Sequence, residues 1–187
     1  MPRVSVYLIF LLLLCVSEVA FSEEENSKPL NGYFVAYSIG WGTPYGIGAE
    51  IGYRKNYFDL NLGAGVNRSH FKLGLGGRLY SHPNRWFSPY LGLNLVLSTR
   101  GTLTVSWEED VDVDYHVYDN IVVHARGGFR ASFGKHWETF ATVGYGYALI
   151  QPRFEYLSGD RIDGTDLLAR MLSPGGYEVS LLFLRRY

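Results

Sequence analysis

The chain has 187 residues, and 17 Lys and Arg stand against 18 Asp and Glu for a formal net charge of −1. That balance leaves no basic excess for a nucleic-acid partner, and the length favours a single domain. With 22 glycines, 15 tyrosines and 11 phenylalanines, and no apolar run of spanning-helix length after residue 22, two readings stay open: a soluble all-β domain or a transmembrane barrel.

Residues 1–22 read as a signal peptide. Arg3 is the lone basic residue, Val4 to Val16 is the apolar run, and Ala20 and Ser22 are the small residues a signal peptidase reads. The run is too short to favour a spanning helix. Leu14 before Cys15, the only cysteine, argues against lipidation. Cleavage after Ser22 would leave no cysteine, which excludes a disulfide framework and a thiolate metal site. Residues 23–31, EEENSKPLN, read as a polar periplasmic leader.

From Gly32 onward the residues alternate with period two. Strands are expected at Gly32–Trp41, Tyr45–Tyr53, Tyr57–Val66, Phe71–Tyr80, Phe87–Ser98, Ile121–Phe133, Trp137–Leu149 and Gly176–Tyr187. Arg54-Lys55-Asn56 reads as a tight turn. Two long excursions, 99–120 and 150–175, interrupt the series. The fold class is therefore all-β, an eight-stranded antiparallel up-and-down transmembrane β-barrel over residues 32–187.

Loop parity supports it. With both termini on one side, the turns after the second, fourth and sixth strands fall on that side, and all are short. Both excursions fall on the other. Rings gather at the two edges of the apolar face: Tyr33, Tyr53, Phe58, Phe87, Phe133, Trp137 and Tyr187 at one, Trp41, Tyr45, Phe71 and Tyr147 at the other. Interfacial aromatic girdles have this pattern. In the last strand the apolar face ends on Tyr187. Strand number, loop parity and that terminal ring resemble the eight-stranded outer-membrane barrels, such as the OmpA membrane domain and the OmpX group. The resemblance implies residence in the outer membrane among lipid and lipopolysaccharide, with assembly by the barrel-assembly machinery through the last strand.

The inward face carries Lys72, Arg78, Arg126, Arg130 and Arg186 with His124, opposed by Glu50, Asp59, Glu138 and Glu178. A narrow interior filled by side chains predicts a salt-bridged plug. Some barrels of this size edit lipid A, one type with a His-x-Ser pair. No His-x-Ser occurs here; adjacent Ser69 and His70 point to opposite faces of a strand, and His124 has no serine at a useful offset. No catalytic residue, cofactor or metal is expected.

In the first excursion Glu108 and Glu109 with Asp110 form an acidic tip that could meet a cation or a basic partner, and Asp110, Asp112 and Asp114 suggest a calcium loop. Tyr115 stands where its glycine belongs and Ile121 where its last acid belongs, so the motif fails. A hairpin rising beyond the membrane is expected instead. In the second, Thr165 or Asp166 would cap a short helix presenting Leu168, Met171 and Leu172, expected to pack on its own barrel. Arg153, Arg161 and Arg170 are candidates for lipopolysaccharide phosphates. These loop charges are the candidate surface for an extracellular ligand. The leading functional reading is surface interaction, adhesion or envelope stabilisation through the loops. The alternatives are a lipid A-modifying hydrolase or acyltransferase and a narrow pore or small-ligand transporter.

Overall fold

The computed structural model describes residues 31–67, 70–106, 112–133, 135–159 and 163–187. The expected signal peptide and residues 23–30 of the leader lie outside them, as do Ser69, Glu108, Glu109, Asp110 and Arg161.

Eight strands close into an antiparallel barrel: β1 (Gly32–Trp41), β2 (Ile47–Lys55), β3 (Phe58–Asn67), β4 (His70–Tyr80), β5 (Phe87–Ser98), β8 (Asn120–Phe133), β9 (Trp137–Ala148) and β11 (Gly176–Arg186). Each pairs with its neighbour along the chain, and β11 closes on β1, so no edge is left open. The up-and-down reading holds. The first excursion forms β6 (Gly101–Ser106) and β7 (Asp112–Val117); the second forms β10 (Phe154–Gly159) and α1 (Asp163–Leu172). These four elements make a cap at one end. The short turns and both ends of the described chain lie at the other.

The alternation decides which side chains meet solvent. Leu60, Leu62, Leu75, Leu93 and Leu95 point outward and are exposed, while Glu50, Asp59, Arg78 and Asn94 are buried. From Phe87 to Leu97 the outward residues of β5 span about 26 Å, taking about 3.4 Å per residue and a tilt of about 40°. Exposed rings bound this apolar band: Tyr33, Phe133, Trp137 and Tyr187 at the turn end, Phe71, Tyr147 and Tyr177 at the cap end.

Two details of the barrel differ from the sequence reading. Tyr45 is not in the outer girdle. Gly42 and Gly46 take φ of 63° and 67°, a left-handed geometry that breaks the alternation and turns the buried Tyr45 ring into the lumen. There its hydroxyl donates to Asn61 Oδ1 at 3.1 Å and accepts from Asn94 Nδ2 at 3.1 Å. Arg54, in turn, is not a turn residue. The chain reverses at Asn56, whose φ is 54°, and Arg54 sits in β2, fully buried, in phase with Glu50.

Candidate functional site

The lumen is packed with side chains. At the turn end Glu138 of β9 accepts both carboxylate hydrogen bonds from Arg54 Nη1, each at 2.9 Å. Arg186 Nε lies 3.1 Å from it and Arg130 Nη1 3.5 Å. Asp59 binds Arg78 Nε at 3.0 Å and Arg54 Nη2 at 3.4 Å, and takes the Tyr80 hydroxyl hydrogen bond. Glu50 lies 2.6 Å from Arg78 Nη2. Backbone carbonyls of the turns complete the set. Arg130 donates to Pro83 O at 2.9 Å and to Arg85 O, and Arg186 donates to Lys135 O at 3.0 Å.

Rings layer against these charges. The Arg54 guanidinium lies 4.2 Å from the Tyr80 centroid, and that of Arg78 lies 5.0 Å from Phe140. Phe34, Tyr80, Tyr90, Phe140, Leu182 and Leu184 form one buried cluster. The inward glycines make room for it. A Cβ at Gly52 would fall on the Phe34 ring and one at Gly63 on the Tyr45 ring.

Nearer the cap, Arg126 Nη2 meets Glu178 Oε1 at 2.8 Å, Ser180 donates to the same oxygen at 2.9 Å, and His124 Nδ1 stands 3.7 Å from Glu178 Oε2. Lys72 belongs to neither group. Its ammonium donates to Thr43 O at 2.9 Å. All ten inward charges and histidines named from the sequence are thus buried in the lumen, in two ion-paired groups with Lys72 apart. The tally of five cations against four carboxylates needs Arg54 added, making Arg54, Lys72, Arg78, Arg126, Arg130 and Arg186 against Glu50, Asp59, Glu138 and Glu178. Arg54 was legible in its phase with Glu50 and Gly52, but the following Lys-Asn reads as a turn.

The cap has its own core. The sheet order is β10-β7-β6. Leu103, Val105, Val113, Tyr115 and Val117 line its inner face, and Ala169, Leu168 and Leu172 of α1 cover them. Those helix positions recur at the spacing that builds one apolar stripe. Thr165 and Asp166 are not caps. The helix starts at Asp163, and both side chains face Tyr115, whose hydroxyl reaches Asp166 Oδ1 at 2.8 Å and Thr165 Oγ1 at 3.0 Å. The stripe rests on the cap sheet, and the helix also touches β11.

The described loop charges are spread out. Asp114 receives Thr104 Oγ1 at 2.7 Å and Ser158 Oγ at 3.3 Å, tying the three strands together. Asp112 is exposed on β7. Arg153 donates to Pro174 O at 3.4 Å, and Arg170 is exposed in the last turn of α1. Among the described residues no group of three His, Cys, Asp or Glu is placed to hold a metal ion. Tyr118 follows β7, and its hydroxyl donates to the Glu155 carboxylate, which holds the phenol above its ordinary 10.0. A serine–histidine contact exists at Ser81 Oγ and His82 Nδ1, 2.9 Å apart in the β4–β5 turn. The other nitrogen of that ring is buried without a partner among the described residues, so none of their carboxylates orients it as a base.

No family model matches the chain, and no curated protein does. Solved structures do. The N-terminal β-barrel domain of OprF from Pseudomonas aeruginosa superposes with a TM-score of 0.55 at 12% identity, covering 86% of this chain and 100% of that one. CarO from Acinetobacter baumannii superposes with 0.51 at 14% identity, covering 88% and 100%. At such identities the likeness is one of fold, and by that fold the chain is a closed eight-stranded antiparallel β-barrel like those two proteins.

Proposed function

We propose that this protein is an integral outer-membrane barrel that works through its cap, by adhesion or another contact at the cell surface. The observation that carries the reading is the cap itself. Two excursions far apart in sequence fold into one sheet-and-helix unit with a buried core, so the molecule spends its long loops on a defined surface. Leu157 and Leu167 are exposed on that unit, and exposed apolar side chains beside polar ones suit a protein contact. The outward leucine band with its edging rings supports placement in lipid. The ion-paired turn end of the lumen supports a barrel that is not a wide channel.

The test uses the barrel with short turns in place of 99–119 and 149–175. Cells carrying it should lose the adhesion that the whole chain confers, while the truncated barrel still inserts. Equal adhesion would refute a cap-borne role. Topology is checked with Leu167→Cys and Asn56→Cys on intact cells. Labelling of the first alone by an impermeant maleimide is expected; labelling of the second alone would invert the proposed orientation.

A further inference from the structure

We propose that the mouth of the barrel holds a binding site for a small oxyanion, a carboxylate or a phosphate, with Lys72 as its charged anchor. Under the C-terminal end of α1 lies a cavity of about 210 Å³. Lys72 lines it together with Asn67, Trp41 and Ser173. The volume suits a single acetate- or phosphate-sized group. A concave pocket with a few convergent polar groups around one charge is the usual form of such a site.

The charge balance points to an anion. Each lumen arginine has a carboxylate within 3.5 Å. Among the described residues Lys72 has none, although it is only 3% exposed. Glu178, an acid of the same half of the lumen, gives one oxygen to Arg126 and Ser180 and reaches Lys72 only across a distance, with no contact between the two. Three N–H groups leave the ammonium, and Thr43 O takes one. A buried charge with a single neutral acceptor is costly, and an oxyanion in the adjoining cavity would supply both charge and acceptors.

Two further donors lie beside Lys72, though neither lines the cavity itself. Ser98 pairs with Lys72 across β4 and β5, and its buried hydroxyl has no partner among the described residues. His70 stands two residues from Lys72 on the same face of β4, buried, with neither ring nitrogen bonded to any described residue. A hydroxyl and an imidazole N–H both donate to oxyanions. Among the described residues no carboxylate lines the cavity to repel one.

The test is amide NMR of the whole mature barrel in detergent micelles, titrated with sodium phosphate or sodium acetate against sodium chloride at matched ionic strength. The expected result is a saturable shift centred on Thr43, Asn67, Lys72 and Ser173, with a Kd of about 1 mM or tighter. Lys72→Met should weaken it about tenfold or more, and Lys72→Arg should keep it. Should Lys72→Met fail to fold, Asn67→Leu takes its place, with the same weakening expected. Response to phosphate alone, acetate alone or both assigns the oxyanion. The same shifts with lipopolysaccharide in the micelle would name a lipid headgroup as its source, and their absence a free solute. No saturable shift up to about 50 mM, an equal response in Lys72→Met, or shifts centred on the exposed Arg170 would overturn the proposal.

Discussion

Glu138 is where a single change should cost most. Its carboxylate is buried and takes Arg54 at 2.9 Å, Arg186 at 3.1 Å and Arg130 at 3.5 Å. In Glu138→Ala the turn end of the lumen keeps four guanidiniums and only Asp59 and Glu50 as counter-charges. Two of the three arginines have a fallback, Arg130 in Pro83 O and Arg186 in Lys135 O. Arg54 keeps only Asp59 at 3.4 Å and the Tyr80 hydroxyl. The loss is therefore close to that of one broken buried pair, about 3 to 5 kcal/mol. Glu138→Gln retains an acceptor oxygen and should lose about 2 to 3 kcal/mol. The assay is urea unfolding of the barrel in lipid vesicles, followed by tryptophan fluorescence and by the heat-modifiable gel shift. A cycle with Arg54→Met should show coupling of about 1 to 3 kcal/mol. A loss below about 1 kcal/mol for Glu138→Ala, or independent effects of the two sites, would refute the account of the network as what holds this end shut.

Gly63→Ala sets a Cβ on the Tyr45 ring and should push that ring off Asn61 and Asn94, destabilising the barrel by about 1 to 3 kcal/mol; an unchanged urea midpoint would show that the ring has room to move. Tyr118 should ionise above 10.0, because its neutral hydroxyl donates to Glu155 and its anion would face a carboxylate. This contact is thus fully present below the ordinary phenol value and lost as pH rises through the raised one. Absorbance titration of whole protein against Tyr118→Phe isolates the group, and Glu155→Gln should return it toward 10.0.

How far the sequence reaches is clearest in single residues. The period-two pattern alone assigned Leu93 outward and Asn94 inward, because lipid-like apolar side chains and lumen polar ones must alternate on a pleated strand. Loop parity alone put both excursions at one end. The same logic failed at Tyr45, where two glycines with positive φ reverse the phase, and at Arg54, where a local turn signature masked a strand still in register. Pairing was beyond it altogether. That Glu138 rather than Glu178 would gather three arginines depends on the stagger of β2, β8 and β11 around a closed barrel, which no local pattern encodes. Nor does anything in 99–120 or 150–175 state that the two excursions share a core. Each alone has too little apolar surface to fold against. Only closure of β5, β8, β9 and β11 brings Tyr115 beneath α1 and leaves Lys72 beside the cavity under the end of that helix.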